Sequence, residues 1–389
     1  MRTVTLRRKA ESRVRSGHLW IFSNELEDGF QEIPPGELAE VVDFRGRFIG
    51  IGTVNPHSLI TVRLLSHAPA EINELWIRQK FEAALNFRTR LFGVQETAYR
   101  AIFSEADGLP GLVVDRFDNL LVLQSSTAGM DQLLPIVVPV LVDLLQPVAV
   151  IAANDSPMRE REGLALSREL VWGEWAGHKI FVQDGIQFII DPIGGQKTSF
   201  YFDQRFNRQA TARFVRSGNT VLDLFCYTGG FGLYALQAGA AHVTFADASE
   251  PALEIARETV TLNGWSDRAD FLKTDIFPFL RDGTQPADIV MVDPPALAKA
   301  RTKVPAALRA YRDLNSRAME SVNPGGLLVT TSCSGLVQSA PWFECLREGA
   351  FKANRRLRIL HKAGQSPDHP ILSSMPETEY LKFAIGSVD

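Results

Sequence analysis

Residues 220–232 read TVLDLFCYTGGFG: an apolar run interrupted by one acid, Asp223, then a short aromatic and polar link, then glycines at 229, 230 and 232. A short apolar run that stops at turn residues is a strand buried on both faces, and glycines after it let the backbone come close to a ligand. On its own this is one strand-to-helix turn among many. The downstream sequence makes it decisive. HVTFADA (242–248), ADFLKTD (269–275), ADIVMVDPP (287–295) and GLLVTTSCS (326–334) are further apolar runs ending in polar or small residues. Helix-patterned segments separate them: GFGLYALQAG, PALEIARETVTLNG, PAALRAYRDLNSRAMESV and APWFECLREGAF. Strand and helix alternating in this way predict an α/β fold with a parallel sheet covered on both faces from about residue 190.

Ligands of such sheets bind outside the carboxyl ends of the strands. Asp247, at the end of the second run, is placed to accept two ribose hydroxyls of an adenosine. That spacing suits NAD as well, but an acid before the glycine turn repels a pyrophosphate. It suits a cationic sulfonium with an amino-acid tail, the charge distribution of S-adenosylmethionine. Asp275 can accept the adenine amine, or serve as a helix N-cap before FPFLRDG. Asp293-Pro294-Pro295 sets an acid at a strand exit where two prolines remove donors and stiffen the backbone. Cys333, in VTTSCSG, lies at the fifth strand exit. Cys226 reads as turn packing and Cys345 as the face of an amphipathic helix. No His, Cys or Asp cluster has metal spacing, so no metal is expected.

The rest of the chain is of another kind. The first 68 residues carry short strands punctuated by Gly36, Gly46, Gly50 and Gly52, a small β-barrel or sandwich. Its opening is basic: Arg2, Arg7, Arg8, Lys9, Arg13 and Arg15. Residues 69–189 mix a helix (71–92), a hairpin-like stretch marked by Asp107-Gly108 and Pro110-Gly111, and a hairpin turning at Asp184-Gly185. The apolar stretch 133–153 imitates a membrane span, but Asp143, Gln146 and prolines at 135, 139 and 147 favour a buried helix to about 146 followed by a core strand.

In all, 389 residues predict two or three domains, and 45% hydrophobic with 22% charged residues exclude disorder. With 41 Lys+Arg against 45 Asp+Glu, nucleic-acid contact must be local. Three widely spaced cysteines make no disulfide framework and suit a reducing cytoplasm, and the basic N-terminus lacks the apolar core of a secretory signal.

At these residues the sequence resembles the bacterial large-subunit (23S) rRNA cytosine-C5 methyltransferases with an N-terminal PUA domain. GHLWIFSNEL and VNPHSLITVRLL resemble the PUA part, and SEADGLPGLVVDRFDNLLVLQ the middle domain. GGQKTSFYFDQRFNR, LDLFCYTGGFGLYA, VDPPALAK, TSCS and DHPILSSMPETEYLK resemble the methyltransferase part. The resemblance implies a PUA-like domain over 1–68, a central α+β domain over 69–189 and a class I methyltransferase over 190–389, whose seven-stranded sheet has an antiparallel last strand in EYLKFAIG. It implies S-adenosylmethionine as cofactor, with Asp223, Tyr227 and Gly229 at the methionine portion and Phe225 among the residues that bind it. Asp247 then takes the ribose and Asp275 the adenine, and Asn263 belongs to the same pocket. Lys197, Thr198, Gln204 and Arg205 close the pocket or grip RNA.

Cys333 becomes the nucleophile, with Asp293 hydrogen-bonding the base. The implied partner is rRNA or a large-subunit precursor, held by the basic N-terminal strip and by Lys352, Arg355, Arg356, Arg358 and Lys362. A homodimer is the assembly the family brings into view. One departure stands out: the second cysteine that assists release in many RNA cytosine-C5 methyltransferases is replaced by Pro294-Pro295-Ala296. Asp368-His369 is a candidate base, or a rigid turn before Pro370. Two other readings stay open: methylation at an exocyclic nitrogen of guanine or adenine, and an RNA-binding assembly factor without turnover.

Overall fold

The computed structural model describes residues 1–195 and 198–389. They form two compact units: Met1–Phe181, Ile190–Phe202 and Pro367–Thr378 make the first, and Val182–Ile189, Asp203–Ser366 and Glu379–Asp389 the second.

The first unit holds two five-stranded sheets. One has β1 (Arg2–Thr5), β2 (Trp20–Phe22), β3 (Leu38–Val42), β4 (Phe48–Val54) and β5 (Ile60–Ser66) in the order β1-β3-β4-β5-β2, with the short α1 (Glu11–Arg15) after β1. Its core of Leu6, Ile21, Val41, Val62 and Leu64 also takes in Met375 from the segment 367–378. The other has β6 (Ala98–Phe103), β7 (Leu112–Phe117), β8 (Leu120–Ser125), β9 (Ala149–Asn154) and β10 (Ser167–Gly173) in the order β10-β9-β8-β7-β6. Two helices, α2 (Glu74–Phe92) and α3 (Ala128–Leu145), pack on it, and α4 (Met158–Arg161) is a single turn. The span-like stretch is therefore α3 followed by β9: the helix buries Met130, Leu133, Val137, Val140 and Leu141 in that core, and all of β9 is buried.

Most of the basic N-terminal strip is matched by acids. Arg13 bonds both Glu25 oxygens at 2.9 and 2.7 Å, Arg15 meets Asp43 at 3.1 Å, Arg2 meets Glu37 at 3.5 Å and Arg7 meets Asp28 at 3.8 Å. Arg8 and Lys9 are exposed. Strong matching of this kind serves the local fold first, so the patch offered to phosphates is smaller than the residue count suggests.

In the second unit the two-stranded ribbon β11 (Lys179–Gln183) and β12 (Ile186–Ile190) contributes its turn, where Asp184 and Gly185 have φ of 52° and 82°. Then come α5 (Arg205–Ala212), β13 (Thr220–Leu224), α6 (Gly230–Gln237), β14 (His242–Asp247), α7 (Glu250–Leu262), β15 (Ala269–Lys273), α8 (Ile276–Asp282), β16 (Ala287–Val292), α9 (Val304–Glu320), β17 (Val322–Ser332), α10 (Ser339–Lys352), β18 (Leu357–Ala363) and β19 (Lys382–Val388). The seven strands lie in the order β15-β14-β13-β16-β17-β19-β18. The first five are parallel and β19 runs antiparallel to both its neighbours. β13 is buried from Val221 to Leu224, which is why its sequence is a near-continuous apolar run.

The boundary expected at 189/190 is crossed in both directions. Residues 182–189 join the second unit because Asn263, at the end of α7, donates to the Gln187 carbonyl at 2.7 Å and accepts its N–H at 3.1 Å. Residues 367–378 join the first because Asp368 is held there, its carbonyl by Arg88 at 2.8 Å and its carboxylate by the Arg100 N–H at 3.0 Å.

Candidate active site

Strand order sets the layout of the site. Along one edge of the seven-stranded sheet, the exits of β15, β14, β13, β16 and β17 carry in turn Asp275, Asp247, the 223–232 turn, Asp293 and Cys333. Neighbouring strands are about 4.8 Å apart, so these groups form a continuous row.

At the centre, Asp223 sits in β13 opposite Phe245 and Met291. Its carboxylate accepts the Gly232 N–H at 2.8 Å from the start of α6. Burial, the dominant influence, pushes its pKa up to about 7, and the nearby Asp293 adds to the rise. The turn between β13 and α6 is strained: Phe225 and Tyr227 adopt φ of 59° and 52°, and Gly229 caps α6 at 86°. Left-handed backbone at non-glycine residues costs on the order of 1 kcal/mol each and persists where neighbours over-determine it. Here the Tyr227 N–H donates to Asp247 Oδ2 at 2.9 Å and the Cys226 N–H to the Ala246 carbonyl at 3.2 Å. The room around the glycine pair is not all for a ligand. A Cβ on Gly230 would lie 2.7 Å from the Arg208 guanidinium, so that position makes way for a protein side chain instead.

Asp247 accepts from Tyr227 and, through Oδ1, from the Ser249 N–H at 2.8 Å. One bond to each oxygen fixes the carboxylate and leaves a lone pair on each for a diol. Asp275 caps α8 by accepting the Phe277 N–H at 3.1 Å, the role the N-cap reading gave it, while its second oxygen has no such task. Phe225 packs edge-on against Phe277 with ring centroids 5.8 Å apart.

Asp293 is half-buried and held from two sides: the Thr331 hydroxyl and Gln204 Nε2 (3.2 Å) both donate to Oδ1. Gln204 is itself fixed by Asn207, whose amide donates to its carbonyl at 2.6 Å. Cys333 stands on the next strand, half-exposed, with Sγ 3.8 Å from the Pro294 carbonyl. Ser334 ties the two loops together, accepting the Leu297 N–H at 3.0 Å and the Ala298 N–H at 3.3 Å and meeting the Tyr311 hydroxyl at 2.8 Å. Cys226 and Cys345 are buried, and burial raises both thiol pKa values, that of Cys345 to about 11.

Two expected site residues stand elsewhere. Arg205 does not face the row: it is paired with Asp184 at 2.6 Å, in a cluster completed by Tyr234 and by Gln209 at 2.8 Å. Asn263 spends its amide on the β12 backbone, because it ends a helix that runs away from the carboxyl edge. Thr198 is buried in the first unit, and Lys197 lies outside the described residues. The Asp368-His369 pair also belongs to the first unit, buried and joined at 2.9 Å. Conversely, Arg208, Thr331 and Ser334 were not singled out by sequence. Arg208 lies in the QRFNR string, where nothing distinguishes it from Arg205 until α5 is built.

Three carboxylates on adjacent strand exits, with one buried arginine behind them, fit the donors of an adenosine, an ammonium and a sulfonium and do not fit a pyrophosphate. An S-adenosylmethionine-dependent methyltransferase model matches residues 159–378, and a PUA-like domain model matches residues 4–67. The ribosomal RNA large subunit methyltransferase I of Photobacterium profundum is 37% identical over 381 residues, covering 96% of each chain. That of Shewanella frigidimarina is 37% identical over 393 aligned residues, covering 99% of each.

The chain belongs to the ribosomal RNA large subunit methyltransferase I family.

It is an S-adenosylmethionine-dependent methyltransferase with an N-terminal PUA-like domain. Among solved structures, a Streptococcus mutans chain assigned to the S-adenosylmethionine-dependent methyltransferases superposes with a TM-score of 0.84 at 17% identity over 100% of both chains. A methyltransferase-class chain complexed with SAH superposes with a TM-score of 0.86, again at 17% identity and over 100% of both chains. At that identity they speak for the fold of the whole chain. Within the family's methyltransferase unit, Asp223, Phe225, Tyr227, Gly229, Asp247 and Asp275 share one end of the row, and Gln204, Asp293 and Cys333 share the other.

Proposed function

We propose that the chain methylates C5 of a cytosine in large-subunit rRNA through a covalent adduct on Cys333. The relatives' names supply the rRNA, and the site supplies the chemistry. The carrying observation is that Cys333 and Asp293 leave neighbouring parallel strands, beside the carboxylate-rich donor end, with their loops tied by Ser334. When bound, S-adenosylmethionine supplies an electrophilic methyl group.

C5 of cytosine is too weak a nucleophile to take that group unaided, and a thiolate solves the problem by covalent catalysis. The Cys333 thiolate forms a bond to C6, and the C5–C6 double-bond pair moves to C5, which accepts the methyl group. A base then takes the C5 proton, and the pair left behind re-forms the double bond as the C6–S bond breaks. Asp293, held by Thr331 and Gln204, faces the N3/N4 edge and stabilises charge developing there. Ala296 leaves no second thiol at that loop, so release relies on the proton-accepting group alone. The base must leave its helix to reach the row. The reading places the chain in the cytoplasm with its rRNA and carries the homodimer expectation with it, which sedimentation in solution reads.

The test is turnover of native and Cys333→Ala chains with labelled donor on rRNA fragments, with trapping on 5-fluorocytosine RNA. The expected result is loss of turnover by more than about a thousandfold and a covalent adduct in the native chain only. Methylation at an exocyclic nitrogen gives near-normal mutant turnover and no adduct. An assembly factor gives no methyl transfer by either chain.

A further inference from the structure

The antiparallel direction of β19 brings its first residue, Lys382, to the same edge that the parallel strands reach with their last. Lys382 pairs in register with Ser332, directly before the cysteine. The residue is 5% exposed, and its Nζ donates to the Ser334 carbonyl at 2.7 Å and to the Tyr380 carbonyl at 2.9 Å. The ammonium therefore grips the carbonyl that comes just after Cys333. An ammonium has three N–H groups, and these two bonds leave one over.

A buried cation bound only to neutral carbonyls is costly, because carbonyl dipoles replace the water it has lost only in part. Among the described residues no carboxylate bonds this one; Glu379 acts on it only at a distance. Such a group is most stable when an anion forms beside it, and the group beside it that can become one is the Cys333 thiol. We infer that Lys382 is a positioning residue that holds the Cys333 loop and stabilises the thiolate, through its remaining N–H and its charge. This deepens the reading of Cys333 as nucleophile and rests on it.

No covalent bond between heavy atoms changes in this step. The thiol loses its proton to solvent, and the negative charge left on sulfur is balanced by the ammonium. Burial lowers the Lys382 pKa to about 8, and the charge of Cys333 opposes that fall, so each group feels the other. The other titratable neighbours are Tyr311 on α9, whose phenol also feels Cys333, and Asp293 at the exit of β16. Tyr311 is neutral at physiological pH and Asp293 is an acid, so among these described neighbours Lys382 is the cation.

The experiment is alkylation of the full chain by iodoacetamide over roughly pH 6 to 10, with Cys333 labelling located by peptide mass and Cys333→Ala as background. Cys333 in Lys382→Met is expected to react about tenfold more slowly at neutral pH, with its midpoint about one unit higher. Lys382→Arg, which keeps the charge, should stay within about threefold of native. Superimposable profiles for native and Lys382→Met overturn the inference. Should Lys382→Met not fold, the native profile decides: a midpoint clearly below the ordinary thiol value of about 8.5 supports the inference, and one at or above it overturns it. The two readings fail separately. Full turnover by Cys333→Ala removes the nucleophile, whereas a dead Cys333→Ala with unshifted alkylation in Lys382→Met removes only the role of Lys382.

Discussion

Arg205 and Arg208 stand one turn apart on α5, both buried, and do opposite things. Arg205 is bonded to the Asp184 carboxylate through two nitrogens at 3.1 and 2.6 Å, with Tyr234 and Gln209 also on that acid. The match holds Asp184 below the usual carboxylate range through bonds from Arg205, Tyr234 and Gln209 that outweigh its burial. Arg208 acts on several acids at once: its charge is felt by Asp203, Asp223 and Asp293, and its guanidinium lies 5.8 Å from the Phe231 ring. Among the described residues this one cation is shared by three acids, and Asp223 keeps its proton to about 7 through burial, with Asp293 and Asp247 adding to the rise. A charge cluster that balances is structure. One whose cation is shared among several acids suits a cationic ligand.

The largest effect that tests this contrast is on Arg208. Arg208→Met strips the acids of their shared cation, so protons replace it and the ionised acids that a cationic ligand needs are lost. Removing one member of a buried charged group costs about 3–5 kcal/mol, and spent on the site this is a fall in kcat/KM of about a thousandfold, with a folded chain by circular dichroism. Turnover within tenfold of native would make Arg208 as structural as its neighbour. Arg205→Met should reverse the pattern. It leaves Asp184 without its cation in a partly buried turn, lowering unfolding free energy by about 3 kcal/mol. Donor affinity, measured calorimetrically on the folded fraction, should stay within about threefold of native.

The contrast was invisible in the string QRFNR, where both arginines carried equal weight. Sheet architecture was legible because buried parallel strands are written as apolar runs, and the acids at their exits were legible because strand ends are where such sheets bind ligands. Partner choice was not. Arg205 was expected at the donor pocket, yet the hairpin turn at Asp184, 21 residues earlier, claims it. Asn263 obeys the same logic: at the end of α7 its amide closes on Gln187, 76 residues away, and no local pattern announces that. Thr331 and Ser334 flank the cysteine in plain view, but their bonds to Asp293 and to the 297–298 backbone exist only once β16 and β17 lie side by side. Lys382 needed one further step from sequence, that the last strand runs backwards and so starts at the edge where the others stop.

The smallest predicted effect is also the one that sharpens the comparison most, because it is read in pH. Asp223 is raised from 3.8 to about 7 in the folded chain, so folding takes up a proton over that window and the chain becomes less stable as pH rises through it. Asp223→Asn removes the linkage, and above neutral pH it should raise unfolding free energy of the ligand-free chain, by up to about 4 kcal/mol. A cationic donor favours the ionised acid, so its binding releases the proton. Native affinity should then rise about tenfold from pH 6 to pH 8, whereas Asp223→Asn binds more weakly and with a flat profile. Isothermal titration in two buffers of different ionisation enthalpy measures the released proton directly. If native affinity is flat across that range, Asp223 is already ionised in the ligand-free chain, and the contrast between the Arg208 cluster and the Arg205 pair does not hold.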